Sequence, residues 1–439
     1  MGHRRFIALA SVVAAVAAAL VVGSPVSSRP EAPAVAAAPA AFSGVDDDVR
    51  LNEIQVVGSH NSYKRMVSDP EEALRRSVIS TAADLMQYQQ DPLGTQFQSR
   101  KVRQIELDIF LDQSGGLYAN PLLRGAAGVG AYDPRMNEPG IKALHIQDVD
   151  YATSCLTFID CLTQVKTWSD ANPSHVPIAI LVELKDDPLD FPGFTFTTPE
   201  KWTAANIGSV DDEIRSVMDD SEILLPDDVR GANATLDEAV TTDGWPTLGE
   251  TRGKVMFMMD NGGGYRTDYL SGHPTLEDRA MFTNANPGDP DAAFVKRNDP
   301  LDASIPGLVT DGYVVRTRSD ADTIEARENN TGPRDAALAS GAQWVSTDYP
   351  GPGLAVGFTT SYVVEIPGGT VARCNPVNGP PGCDSALLDT ISTPPAPPTP
   401  SSTTSTIPVT TTTTATVVAT EPDDAPAAVP VAGSASYTG

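Results

Sequence analysis

Glu106 and Asp108 stand two residues apart in the apolar run Val102–Phe110. In a β-strand that spacing sends both carboxylates to one face, and two like charges aimed at one place are costly unless a cation sits between them. Glu183 closes a second apolar run, Pro177–Leu184, and Asn61 follows a third, Leu51–Val57, in the stretch Gly58-Ser59-His60-Asn61-Ser62-Tyr63-Lys64. Asn61, Glu106, Asp108 and Glu183 would make an all-oxygen set, the donor chemistry of a hard divalent ion. Histidine is scarce, five in 439 residues, and His60 and His145 both fall at the ends of apolar runs beside these acids. Two histidines with two carboxylates would suit zinc or iron. Two histidines across a calcium-bound phosphate would suit general acid–base work.

The elements that must position these groups are legible as an alternation. The apolar runs are Leu51–Val57, Val102–Phe110, Ile141–Ile146, Pro177–Leu184, Lys254–Met259, Ala280–Thr283, Gly312–Arg316 and Gln343–Ser346. Several are β-branched, and turn formers bound them, as expected of buried parallel strands. Helix-like stretches intervene at Glu71–Gln90, Leu156–Ala171, Thr198–Asp219 and Asp320–Ser340. Eight such strands alternating with helices predict an α/β fold, a (β/α)8 TIM-type barrel with some irregularity. In that fold chemistry collects at the C-terminal ends of the strands, which is where His60, Asp108, His145 and Glu183 fall.

Outside the barrel, residues 1–41 read as a signal and exported leader. Arg4 and Arg5 precede the uncharged run Phe6–Val22, which Gly23-Ser24-Pro25 breaks, the order of charged and apolar regions in a secretory signal. The barrel is expected over 42–385. Residues 386–439, rich in Thr, Pro and Ala, are expected to form an extended tail without a core. All four cysteines lie in the exported part, close in pairs, which predicts the disulfides Cys155–Cys161 and Cys374–Cys383; zinc is the weaker reading because no pair has CxxC spacing. The formal net charge of −27 excludes the basic face a nucleic-acid binder needs and argues against polybasic docking on anionic membrane. A secreted monomer is expected, with the tail a candidate for holding it at the cell surface.

His60-Asn61-Ser62-Tyr63, Glu106-Leu107-Asp108, His145 and Glu183-Leu184-Lys185 resemble, in order and spacing, the X region of calcium-dependent phosphoinositide-specific phospholipase C. The likeness is nearer to the secreted bacterial branch and continues through Gly272-His273-Pro274, Ala292-Ala293-Phe294, Arg316–Thr323 and Ser346-Thr347-Asp348-Tyr349-Pro350. The resemblance implies that Asn61, Glu106, Asp108 and Glu183 bind one Ca2+ and that His60 and His145 flank a scissile phosphodiester. His145 would protonate the leaving oxygen. His60 would stabilise the phosphorane or help to deprotonate the attacking hydroxyl, with Glu106 or Asp108 as the rival base. Phosphatidylinositol would give diacylglycerol and an inositol phosphate, the cyclic form first.

Lys185, Arg316 and Arg318 are weaker candidates for gripping inositol or phosphate; the competing reading of Glu183 with Lys185 is an internal ion pair. No basic cluster is present to read a polyphosphorylated head group, so plain phosphatidylinositol or a related lipid is the expected substrate, met by transient contact of the barrel rim with a membrane surface. His175 reads as structural. A glycerophosphodiester phosphodiesterase or a sphingomyelinase D-like enzyme is the alternative within the barrel class, although His60 is followed by Asn61-Ser62-Tyr63 and not by the Arg-Gly usual in the former. A non-catalytic barrel on a stalk is the alternative outside it.

Overall fold

A computed structural model of the chain describes residues 44–389; the leader and the Thr/Pro/Ala-rich tail lie outside the described residues. Eight parallel strands form the wall: β1 (Ile54–Ser59), β2 (Gln104–Phe110), β3 (Ile178–Lys185), β4 (Val255–Met259), β5 (Met281–Thr283), β6 (Phe294–Lys296), β7 (Val314–Arg318) and β8 (Trp344–Thr347). Their order is β5-β4-β3-β2-β1-β8-β7-β6, and every neighbouring pair is parallel. The ring closes through a parallel bridge between Asn284, just past β5, and Phe294 of β6. The side-chain oxygen of Asn284 accepts the Lys296 amide there at 3.0 Å. This is the expected barrel, and it is irregular where β5 and β6 are joined by residues 284–293 without a helix.

The strands are apolar on both sides because one face meets the surrounding helices and the other fills the barrel. Ile105, Leu107 and Ile109 of β2, with Ile178, Ile180, Val182 and Leu184 of β3, are buried against the outer layer; each such side chain contributes about 1.5–3 kcal/mol. The helix Phe158–Ala171 supplies part of that layer. Thr157 caps it by accepting the Asp160 amide at 3.0 Å, and Phe158, Cys161, Leu162, Val165 and Trp168 form its buried stripe. β1 and β2 approach closely because residue 58 is glycine: a Cβ there would collide with the Gln104 side chain.

Three expectations about elements are corrected. The run Ile141–Ile146 is not a wall strand; only Lys142–Ala143 is extended, and it pairs antiparallel with Ile109 and Phe110 at the end of β2. The ammonium of Lys142 is buried and tied to the carbonyl of Gly140 at 3.1 Å and to Asp112 at 3.5 Å, so this segment folds back over the strand end. The wall strand in its stead is β6, only three residues long, too short to display a period of two. Thr198–Asp219 narrows to the helix Ser209–Val217, and Asp320–Ser340 divides into Ile324–Glu328 and Gly332–Ala339, separated at Asn329, whose backbone is left-handed (φ 51°).

The cysteines are joined as Cys155–Cys161 and Cys374–Cys383. The second bond secures the strand Ala372–Cys374, which pairs antiparallel with β1 outside the ring. Among the described residues no helix is long and apolar enough to cross a membrane.

Candidate active site

At the C-terminal mouth the strand register brings three acids together. Asp108 of β2 and Glu183 of β3 are direct register partners, and Glu106 lies on the same face two residues earlier. Ligand oxygens of Glu106, Asp108 and Glu183 all lie within 4.8 Å of one another, and all three residues are buried. Glu106 is bound across the barrel by the Arg316 guanidinium at 2.6 Å. Lys185 reaches Glu183 at 2.8 Å and Asp108 at 3.3 Å. Asp108 is nonetheless held well above the usual carboxylate range, first by burial and then by the charges of Glu183 and Glu106, which Lys185 only partly offsets. Apart from the Lys185 ammonium, no donor reaches either of its carboxylate oxygens. Buried carboxylate oxygens so short of donors suit an oxygen-seeking cation, so the donor set fits Ca2+.

His60 follows β1 directly, its amide bonded to the Thr347 carbonyl at 2.9 Å. Its Nδ1 lies 2.7 Å from Asp348 and 3.2 Å from the Tyr88 hydroxyl. Arg318 packs against both ring nitrogens at 3.3–3.4 Å, and Nε2 lies 3.7 Å from Glu106. Burial, followed by the Arg318 charge, pushes His60 well below its ordinary pKa. With Nδ1–H donated to Asp348, Nε2 faces the site as an acceptor. Asn61 turns the chain in a left-handed conformation (φ 44°), which asparagine tolerates better than most residues. Its amide donates to the Tyr88 hydroxyl at 2.8 Å and its carbonyl accepts from Tyr63 at 3.2 Å.

His145 reaches the mouth by the antiparallel return of Lys142–Ala143 on β2, where the Leu144 amide bonds to the Asp108 carbonyl at 3.2 Å. Its Nδ1 lies 2.7 Å from Asp150. Burial lowers the His145 pKa, and Asp150 offsets this in part. Asp150 itself is held far below the carboxylate range: burial would raise it, but Lys64 at 3.4 Å, His145 and Arg75 at 2.8 Å outweigh that. Each imidazole therefore has a buried carboxylate at Nδ1, and the charge of His145 is felt at His60.

The candidate catalytic, metal-binding and anion-binding residues gather here, but the cations are engaged. Arg316 is buried between Glu106, Ser346 at 3.1 Å and the side chain of Asn298. Arg318 is braced by the Asp320 carbonyl at 2.9 Å. Lys185 is seated between two acids. Sequence reasoning assigned no role to Asp348, Asp150, Tyr88 or Lys64. Asp348 carried a signal, since it follows a wall strand in Ser346–Pro350; Asp150 carried only its closeness to His145. His175 is far from this chemistry, bonded to Ser169 at 2.7 Å and to the Val176 carbonyl at 2.6 Å, and burial pushes it down to about 4.

Comparison with curated proteins yields no match. Among solved structures, the apo form of a calcium-dependent phosphoinositol-specific phospholipase C from Pseudomonas sp., a Gram-negative bacterium, is similar at 14% identity over 75% of this chain and 96% of that one, with a TM-score of 0.44. A Ca2+-dependent phosphatidylinositol-specific phospholipase C from Streptomyces antibioticus is similar at 19% identity over 69% of this chain and 95% of that one, TM-score 0.42. The family model of Ca2+-dependent phosphoinositide phospholipase C matches residues 49–376, nearly the whole described barrel. The chain therefore belongs to the Ca2+-dependent phosphoinositide phospholipase C family.

Proposed function

We propose that this enzyme cleaves phosphatidylinositol to diacylglycerol and inositol phosphate, forming the cyclic phosphate first. The observation that carries the reading is the pair of imidazoles, His60 buried and His145 partly so, each braced at Nδ1 by a buried carboxylate, beside a buried acid cluster whose Asp108 meets only the Lys185 ammonium. Asn61, Glu106, Asp108 and Glu183 would hold the ion. Bound there, Ca2+ would lower the pKa of the attacking hydroxyl and offset charge on the phosphate.

The roles of the two histidines follow from their neighbours. His60 is pressed towards the neutral form by burial and then by Arg318, so its Nε2 takes the proton of the inositol hydroxyl next to the phosphate. That oxygen attacks phosphorus and the bond from phosphorus to the glycerol oxygen breaks. His145, whose pKa burial lowers but whose cation Asp150 at Nδ1 supports, gives its proton to the departing oxygen. Each histidine ends in the other's starting state, and hydrolysis of the cyclic ester by water would reset both.

Membrane contact falls to the rim. Phe191 and Phe194, in the loop after β3, are 41% and 44% exposed, and Leu301, after β6, is 71% exposed. Asp187, Asp190, Asp299 and Asp302 accompany them, so apolar insertion into an electroneutral surface is favoured over attraction to an anionic one. The two disulfides support export, and we propose a monomer with residues 42–385 as its catalytic unit.

The test supplies phosphatidylinositol in phosphatidylcholine vesicles and, separately, soluble glycerophosphodiesters, across a Ca2+ titration with EDTA controls, following products by phosphorus NMR. Release of cyclic inositol phosphate that depends on Ca2+ supports the reading. Turnover of glycerophosphodiesters alone would replace it with the glycerophosphodiesterase reading, and no turnover of either would favour a binding barrel.

A further inference from the structure

Asp108 and Glu183 share one counter-ion. Among the described residues the only ion pairs of either carboxylate are to Lys185, at 3.3 and 2.8 Å, whereas Glu106 is paired separately with Arg316. The ammonium thus lies between two members of the acid cluster that would hold Ca2+. Three carboxyl groups, Glu106, Asp108 and Glu183, already face two cations, Arg316 and Lys185. An incoming divalent ion would overcompensate the cluster unless one cation left, and like charges sharing two carboxylates repel at short range.

Arg316 cannot leave, being buried and bonded at both terminal nitrogens. Lys185 can. It is the last residue of β3, its side chain is 25% exposed, and a lysine stem carries its charge on four flexible carbons. The loop that follows opens on the mouth, where the phosphate of a substrate would lie.

We propose that Lys185 is a tethered counter-ion that fills the Asp108–Glu183 cleft of the metal-free protein, is expelled by Ca2+ towards the mouth, and there meets the phosphate. The proposal rests on the reading of these acids as the Ca2+ site. Its consequence is a two-way coupling: Ca2+ frees the ammonium for the anion, and an anion that holds the ammonium outside strengthens Ca2+ binding, as linkage requires.

The experiment uses the whole protein and two readouts that do not depend on turnover. In the wild-type chain, amine-reactive labelling read by mass spectrometry follows Lys185, with Lys166 as an internal reference. Labelling of Lys185 is expected to rise several-fold on adding Ca2+. In parallel, calorimetric Ca2+ titration compares wild type with Lys185→Met, which removes the competitor and keeps the stem's packing; the variant is expected to bind Ca2+ about tenfold more tightly, the scale of a typical coupling between two sites.

Wild type that binds Ca2+ with no change in Lys185 labelling, or a folded Lys185→Met variant that binds no more tightly, overturns the proposal and leaves the Ca2+ site standing. If neither protein binds Ca2+, the reading of the acids fails and the proposal falls with it. Should the variant not fold, the wild-type labelling decides.

Discussion

Asp348→Asn isolates the electrostatic support of His60. The carboxylate oxygen lies 2.7 Å from Nδ1, and at an effective dielectric near 20 its attraction for an imidazolium is ~6 kcal/mol. The Arg318 guanidinium, 3.3 Å from the same nitrogen, opposes with ~5 kcal/mol of repulsion on the same basis. The two nearly cancel, so the variant leaves only the more distant Glu106, 3.7 Å from Nε2, to oppose the repulsion when His60 takes the substrate proton. Relaxation and solvent reduce the raw figure. A hydrogen bond to a charged group is worth about 1.5–3 kcal/mol in substitution experiments, which corresponds to a fall in kcat/KM of about 10- to 150-fold.

The isosteric side chain leaves the fold's claims on this residue intact, because its backbone amide bonds to Asp320 at 2.8 Å and its carbonyl accepts from Gln90 at 3.0 Å. The assay is initial-rate turnover of phosphatidylinositol in mixed vesicles at saturating Ca2+, with Tm and the Ca2+ midpoint measured in parallel. Both of those are expected to stay at wild-type values. A variant within threefold of wild type in kcat/KM would refute the assignment of proton uptake to His60.

Asp108→Asn removes a carboxyl that burial and its acidic neighbours hold well above its ordinary pKa. The metal-free protein is expected to gain stability at neutral pH, while the rise in Tm that Ca2+ gives the wild type disappears; thermal unfolding with and without Ca2+ reads both. Because burial lowers the pKa of His145, its protonated form is lost as pH rises, and the alkaline limb of kcat/KM is expected at or below about pH 6.5; a limb at pH 8 or above would point to another acid. Phe191→Ser with Phe194→Ser is expected to cut vesicle binding by at least tenfold while leaving hydrolysis of a water-soluble inositol cyclic phosphate unchanged, as sedimentation and rate measurements would report. Replacing Cys155 and Cys161 together by alanine reopens a bond that spans six positions of sequence, and a loss of about 2 kcal/mol is expected in chemical unfolding.

Much of the site was legible because local rules act on neighbouring residues. A period of two put Glu106 and Asp108 on one face of a strand whatever the strand packed against. Turn formers around β-branched runs marked seven of the eight wall strands, and strand ends gathered the candidate chemistry because that is where parallel barrels present it. The pairing of near cysteines needed only short chain distances.

Tertiary structure decided the state of each group. His60 meets Asp348 from the other end of the chain, 288 positions away, and Arg316 meets Glu106 across 210. Nothing in either local sequence encodes such a contact, because it depends on the ring that sets β8 beside β1 and β7 beside β8. The same ring turned Arg316, Arg318 and Lys185 from candidate anion contacts into partners of buried acids. It also fixed which imidazole has a guanidinium packed against it as well as a carboxylate. Residue types and spacing determined that acids and histidines would share one mouth; burial and long-range pairing determined their charges, because desolvation and Coulomb interaction act through space and not along the chain.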